Sequence, residues 1–463
     1  MLLRNTTKIN GMTTFVKNQI RMSFSELNIH KSVSKALSDL NYTQPTPIQE
    51  AAFSIIMSGK DVIGLAQTGT GKTLAYLLPL LSMWKFSKEP HPQFIILVPT
   101  RELVVQVERE IGKLTSYMNV VVVGVYGGAN INTQAAQVLQ GCDIVVGTPG
   151  RVFDLAASGS LQFKQVKKVV IDEVDETLSL GFRPQLTRIF EMLPAKRQNL
   201  FFSATLNEEV DQFIHQYFDH LSRVEAARVG TPLAQIQQVV YHVPNYTTKL
   251  NLLIDLLEKG EMNKTLVFVS SRVLADKLFD DLEPLLKEKV GVIHSNKSQN
   301  FRFNSVSHFQ QGIYEVLIAT DLIARGIDVT DVSHVINFDV SENQENYIHR
   351  IGRTGRFDKK GNAITFVTPS EAVLFTEFER FMQVEIPVLE IPVEVEVSSV
   401  LLDFEKPVVT MKNTLVKLPP KSQSGPAFHE KKAKNKKVNV RYNHKKAMQE
   451  KYGKPKTRGN KKK

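Results

Sequence analysis

Cysteine is nearly absent from this chain. Cys142 stands alone among 463 residues, which excludes an intramolecular disulfide and any multi-cysteine zinc site. Long apolar runs are missing too. The longest, LAYLLPLLSMW at 74–84, is too short to span a bilayer and contains Pro79. Residues 1–22 hold four bases and no acid, but no continuous apolar stretch of the kind a secretory signal needs. Met12 and Met22 are alternative starts, so 1–22 is read as a leader. Together these absences point to a cytoplasmic protein that does not enter a membrane, with an organellar transit peptide in 1–22 as the weaker alternative. Acids are scarce at the other end. Residues 421–463 carry 16 Lys and Arg against two acids. The whole chain is at +11, so the preceding residues are slightly acidic. Such a segment is too polar to bury a core and is expected to be disordered. Its one-sided charge favours a tether for a polyanion over a merely solubilising end.

What is present is ordinary for a soluble protein: 42% hydrophobic and 23% charged residues, in a length that suits two or three domains. Short β-rich apolar runs alternate with helical patterns. A first set comprises DVIGLA (61–66), QFIILV (93–98), NVVVVGVY (119–126), DIVVGT (143–148), KVVIDE (168–173) and NLFFSAT (199–205). A second set comprises TLVFVS (265–270), VGVIHS (290–295), EVLIAT (315–320), HVINFD (334–339) and AITFVT (363–368). Continuous apolar strands of this kind are covered on both faces, the pattern of a parallel α/β sheet. Between the sets, RVGTPLAQIQQ (228–238) offers Gly230 and Pro232 as turn signals. The reading is an α/β protein of two tandem parallel-sheet domains, 23–228 and 237–398. A flexible linker spans 229–236, and the basic tail covers 399–463.

AQTGTGKT at 66–73 follows a predicted strand and precedes a helical pattern. This is a phosphate loop, with Ala66 where the general pattern has its first glycine. Gly69 and Gly71 let the backbone curl, so that the amides of Thr68, Gly69, Thr70 and Gly71 face phosphate oxygens at a helix N-terminus. Lys72 is expected to reach the β- and γ-phosphates of ATP, and the Thr73 hydroxyl to ligate Mg²⁺. VVIDEVDE (169–176) ends a buried-looking run in acids, at the strand end where such sheets place ligands. Asp172 is expected to hold Mg²⁺, partly through water, and Glu173 to orient and deprotonate the attacking water.

With these motifs in order, the chain resembles the DEAD-box RNA helicases of superfamily 2, over residues 24 to about 370. The resemblance implies RecA-like domains and RNA-stimulated ATP hydrolysis by a monomer of compact bacterial type. YTQPTPIQ (42–49) is similar to the family's adenine-reading motif, with Gln49 on the adenine edge and Phe24 stacked on the ring. PTREL (99–103), Gly127–Gly128 and TPGR (148–151) resemble the RNA-backbone motifs, which assigns Arg101, Gly128, Thr148, Gly150 and Arg151 to RNA. SAT (203–205) resembles the motif that links ATP state to RNA state. Ser203 and Thr205 are then expected to hydrogen-bond to the acids at 172–175, with Asp175 and His349 also in the coupling. In the second set, the resemblance assigns Arg272, Gln299, Arg302, Thr320 and Arg325 to RNA. It assigns Gly326 and Asp328 to the nucleotide, Asp328 on a ribose hydroxyl. Arg353 and Arg356, three apart, would lie one turn apart if that segment is helical, both aimed at the γ-phosphate.

Three positions depart from the family pattern. Val174 stands where the family has alanine, facing the next motif, and is expected to tune the rate rather than abolish it. Asn41 replaces a glycine before Tyr42, and asparagine suits that place if φ is positive. Ser341 stands where many members have proline. A DNA-directed helicase or translocase and a nucleotide-gated RNA clamp with little turnover are the competing readings. The wording of PTREL, TPGR and TDLIARGID argues against the first, and intact Lys72, Glu173, Arg353 and Arg356 against the second.

Overall fold

The computed structural model describes residues 14–15, 22–67, 69–218, 221–225, 236–259, 262–321, 332–341, 343–355, 360–406, 448–451 and 453. The chain divides into two units, 1–405 and 406–463.

The first unit contains two sheets, and every strand pairing within them is parallel. The first is built from β1 (Thr14–Phe15), β2 (Asp61–Leu65), β3 (Phe94–Leu97), β4 (Val122–Val125), β5 (Ile144–Gly147), β6 (Lys168–Ile171), β7 (Gln198–Ser203) and β8 (Leu221–Glu225). Their order across the sheet is β1-β8-β2-β7-β6-β3-β5-β4. The second holds β9 (Ile236–His242), β10 (Thr265–Val269), β11 (Val290–Ile293), β12 (Val316–Thr320), β13 (His334–Asn337), β14 (Gly361–Val367) and β15 (Val388–Leu389). Their order is β11-β12-β10-β13-β14-β9-β15.

The continuous apolar runs have a direct cause. Successive residues of a strand enter opposite faces. Val62 and Ile63, Phe94 and Ile95, and Val169 and Val170 divide between two apolar clusters on the two sides of the first sheet. In the second sheet, Val267 packs in one cluster while Leu266 and Phe268 pack in another. Eleven strands lie where the apolar runs predict them. Strand β8, LSRVE, has an interrupted pattern. Strand β9 begins at Ile236, which the linker reading had claimed; Gln237 and Gln238 hide it in the sequence. The rest of the expected linker lies outside the described residues. The chain also stays against the second sheet past the expected boundary at 398. Asn245 Nδ2 donates to Ser398 O, and Glu405 accepts from the Tyr246 amide, both at 2.5 Å. No helix among the described residues is long and apolar enough to cross a membrane.

Strand order, which no local pattern encodes, assembles the motifs. Strands β2, β7 and β6 are neighbours, so the phosphate loop, the SAT segment and the acidic segment leave the same end of the sheet side by side. Strands β3, β5 and β4 continue the row and deliver PTREL, TPGR and the paired glycines beyond it.

Candidate active site and nucleic-acid interface

Gly69 and Gly71 take φ of 81° and 88°, the left-handed region that favours glycine. Gly71 caps the helix Lys72–Met83, and a Cβ there would collide with the Gln49 amide. Thr70 Oγ1 closes the loop on Gln67 O at 2.7 Å. Gln49 braces it from the helix Pro47–Met57. Its Oε1 accepts from the Thr46 amide at 3.0 Å, and its Nε2 donates to Gly71 O at 3.1 Å. Gln49 is buried and thus committed, in this structure, to the loop itself. Phe24 starts a short 3-10 turn, Phe24–Glu26, and packs into the apolar cluster on that face.

Lys72 is 6% exposed, and its Nζ makes no hydrogen bond among the described residues. Its charge acts on Asp172, Glu173 and Asp175 together. Asp172 Oδ1 accepts from the Glu173 amide at 3.0 Å, and Oδ2 from the Tyr76 hydroxyl at 3.0 Å. Burial pushes the Asp172 carboxyl above its ordinary value, opposed by Lys72 and by those donors. Glu173 is strained at φ 50°, ψ 59°, the cap of the helix Val174–Ser179. Its carboxyl is also raised by burial, with Lys72 and Arg353 pulling it back. Asp175 behaves differently. Burial pushes it up, but His349, Lys72 and hydrogen bonds from Thr205 outweigh that and hold it below its ordinary value. Its Oδ2 accepts from the Ala204 amide, the Thr205 amide and the Thr205 hydroxyl at 2.8–3.0 Å, and its own amide donates to Ser203 Oγ at 3.3 Å. The expected tie between SAT and the acids is therefore present.

His349 and Arg353 bring the second sheet to this cluster. Both are buried, and Arg353 Nε donates to His349 O at 3.3 Å. The helix stops at Ile351, so Arg353 lies past its end, and the expected spacing to Arg356 falls outside the described residues. Gly352 and Arg353 form a turn, and Thr354 bridges to Val332. Arg350, on the same helix, is locked. Its Nε and Nη2 grip the Asp321 carboxylate, Nη1 donates to Asp339 O at 2.7 Å, and its guanidinium lies 5.3 Å over the Phe268 ring. Thr68, Arg325, Gly326, Asp328 and Arg356 lie outside the described residues.

The nucleic-acid residues fall into three groups. Arg101, Gly128, Gln299 and Arg302 converge. Gly128, at φ 80°, leaves no room for a Cβ beside the Arg101 guanidinium. Arg101 Nη1 reaches Gln299 Oε1 at 3.4 Å, Gln299 Nε2 donates to Glu102 Oε1 at 2.9 Å, and Arg302 Nη1 pairs with Glu102 Oε1 at 3.1 Å. These contacts join the helix Arg101–Leu114 of the first sheet to the helix Gln299–Gln311 of the second. Arg151 is tied within its own sheet, Nη1 to Gln134 Oε1 at 2.6 Å and Nη2 to Ala129 O at 3.0 Å. Thr148 and Gly150 open the same helix, Pro149–Ala157. Arg272 holds Asn296 Oδ1 at 3.0 Å, and Thr320 ends β12.

Sequence reasoning passed over Glu102 and Tyr76, and counted Arg350 with Arg353 and Arg356 as three arginines in one window without giving it a role. Glu102 stands inside the quoted PTREL, and its signal is an acid among cationic neighbours. Tyr76 is hidden in an apolar helical pattern. Of the departures, Asn41 takes φ 57°, the conformation expected of it. Ser341 is buried, and its Oγ accepts from the Asn343 amide at 3.4 Å. Val174 is fully buried in the apolar cluster with Val152, Ile171 and Phe201, so it is a core residue.

A buried phosphate-loop lysine over an acid cluster, met by an arginine from a second parallel sheet, defines a tandem-sheet nucleoside triphosphatase. Residues 46–213 match the DEAD/DEAH box helicase family, and residues 248–358 match the helicase conserved C-terminal domain. The chain is 36% identical over 377 residues to the ATP-dependent RNA helicase DbpA of Bacillus subtilis, which covers 81% of this chain and 78% of that protein. It is 36% identical over 372 residues to the ATP-dependent RNA helicase eIF4A of Lodderomyces elongisporus, covering 80% and 93%. Among solved structures, S. cerevisiae Dbp5 bound to RNA and ADP BeF3 matches with a TM-score of 0.74 at 28% identity, covering 80% of this chain and 95% of that one. The chain belongs to the DEAD-box ATP-dependent RNA helicases. It is an RNA-dependent ATPase that binds nucleotide and RNA, built from tandem RecA-like domains.

Proposed function

We propose that ATP is held by the phosphate loop and hydrolysed between the two sheets, by a monomer that contains both halves of the site. The observation that carries this reading is the buried, unpartnered Lys72 Nζ facing three acids. A buried cation without a hydrogen-bonding partner is costly, and phosphate oxygens would satisfy it. Lys72, with Thr68 to Gly71, would cradle the β- and γ-phosphates. Gln49 and Phe24 would meet the base, and Gly326 and Asp328 the ribose side. Glu173 would take the proton of the attacking water, and its raised proton affinity suits a base working near neutral pH. Arg353 and Arg356 would stabilise charge on the γ-phosphate.

The residues present fit Mg²⁺. Among the described residues no group of three or more His, Cys, Asp or Glu forms a metal cage. One hydroxyl and one acid, Thr73 and Asp172, suit an ion that keeps water and phosphate oxygens in its shell. When bound, the ion would neutralise charge between the phosphates.

Asp175, tied to Ser203 and Thr205 and charge-coupled to His349, would carry the state of the ATP site to the RNA side. Arg101, Gly128, Thr148, Gly150, Arg151, Arg272, Gln299, Arg302, Thr320 and Arg325 would hold backbone phosphates and 2′-hydroxyls, without reading sequence. Closure would strain one strand and part a few base pairs, and hydrolysis would reopen the cleft. The basic tail would tether RNA by charge. Steady-state ATP hydrolysis without nucleic acid, with single-stranded RNA and with the same sequence as DNA tests the reading. Stimulation by RNA alone is expected. Equal stimulation by DNA would remove the 2′-hydroxyl contacts.

A further inference from the structure

We propose that Tyr76 is a positioning residue that fixes the Asp172 carboxylate for the magnesium–nucleotide complex. The inference rests on the role given above to Asp172. Tyr76 lies in the helix that starts at Lys72 and is fully buried. It stands four residues after Lys72 and three after Thr73, so the three share a helix face. That face meets the end of β6. The Tyr76 hydroxyl donates to Asp172 Oδ2 at 3.0 Å. Tyr76 thus ties Asp172 to the helix that carries Thr73, the other residue proposed to hold the metal.

The phenol is itself held. Its ring packs on Phe202 of β7, with centroids 5.3 Å apart and planes at 53°. Phe202 directly precedes Ser203, which accepts from the Asp175 amide. Asp172 is then gripped at both oxygens, Oδ2 by Tyr76 and Oδ1 by the Glu173 amide. Each oxygen retains a second lone pair for water or metal, in a plane the two donors fix. Packing alone does not ask for the hydroxyl. Phenylalanine would fill the same apolar space without a buried polar atom to satisfy. Partners that orient a ligating carboxylate change metal affinity by about 10–100-fold when removed.

The test uses the full chain and a fluorescent N-methylanthraniloyl-ADP probe. Its affinity is measured in Mg²⁺ and in EDTA for the wild type, Tyr76→Phe and Asp172→Asn. Thermal melting is recorded for each. In the expected result, Tyr76→Phe loses about tenfold of the Mg²⁺-dependent gain in affinity, while its affinity in EDTA and its melting temperature stay near wild type. The Mg²⁺ concentration giving half-maximal RNA-stimulated turnover rises in step. Two results would overturn the role of Tyr76 while leaving that of Asp172 intact, with Asp172→Asn losing the Mg²⁺ response in each. One is an unchanged Mg²⁺ response in Tyr76→Phe. The other is an equal loss in Mg²⁺ and EDTA with a lowered melting temperature, which marks a packing defect. A wild-type Mg²⁺ response in Asp172→Asn would remove the reading beneath the proposal, and the proposal with it.

Discussion

Glu173 is held against the preferences of both its backbone and its charge. A non-glycine residue in the left-handed region stores about 1–3 kcal/mol, and burial raises its carboxyl above the ordinary value. A carboxyl raised on folding contributes stability below its unfolded pKa and loses it as pH rises through the folded one. At neutral pH the ionised Glu173 therefore costs stability. Glu173→Gln, which mimics the protonated acid, is expected to melt at a higher temperature than wild type at pH 7. The gain should vanish near pH 4, about where an unperturbed glutamate protonates. The same variant should lose ATP turnover by about 10²-fold or more while still binding ATP and RNA. Melting curves at the two pH values and single-turnover kinetics check both halves. Val174 belongs to a different account. Removing its two methyl groups by Val174→Ala leaves a void in a packed core and should cost about 1.5–2.5 kcal/mol of unfolding stability. Turnover per folded molecule should hold. Denaturant unfolding beside activity measurement separates this from the rate tuning that the motif alone suggested.

Among the elements, the phosphate loop and the helix before it act as one piece. Gln49 reaches from its own helix to Gly71 O, and Gly71 has neither the φ nor the space for a side chain. Gly71→Ala should displace the Gln49 amide and weaken nucleotide binding by at least about tenfold, since both the strain and the clash oppose the loop. Equilibrium titration with a fluorescent nucleotide measures it. Much of this element was legible before the structure, because a glycine-rich turn between a strand and a helix has few other uses. The segment around Arg353 was less legible. Spacing put Arg353 and Arg356 one turn apart if that segment were helical, and the family resemblance aimed both at the phosphate. The helix instead ends at Ile351, and Arg350 spends its fork on Asp321 and Asp339. Spacing along a chain cannot say which of several arginines meets a half-buried carboxylate.

Across the whole first unit, Glu102, Gln299 and Arg302 join the helices of the two sheets. The pair Glu102–Arg302 is largely buried, so removing one partner leaves a costly charge behind. Arg302→Met should lower RNA-stimulated turnover and weaken the mutual enhancement of ATP and RNA binding by about 5–150-fold, the range of such couplings. Nucleotide affinity without RNA should stay near wild type. Paired RNA-binding isotherms with and without a non-hydrolysable ATP analogue read this directly. Deleting residues 407–463 should weaken RNA binding at low salt and flatten its salt dependence, by roughly 0.7 in logarithmic slope per lost phosphate contact.

By itself the sequence determined the composition of the sites. Glycines where φ must be positive, a lysine and threonine at a helix start, and acids after an apolar run each carry a local physical requirement. Continuous apolar runs likewise required strands covered on both faces. Tertiary structure decided which of those parts meet. The order β2-β7-β6 sets the phosphate loop, Ser203 and the acids side by side. It turns Val174 into the core and points the Tyr76 hydroxyl at Asp172, and the packing of the second sheet sends Arg350 to Asp321 rather than outward. Those outcomes depend on strand pairing and on which face of a helix meets which strand end. Both are contacts between residues far apart in the chain, and no window of neighbouring residues contains them.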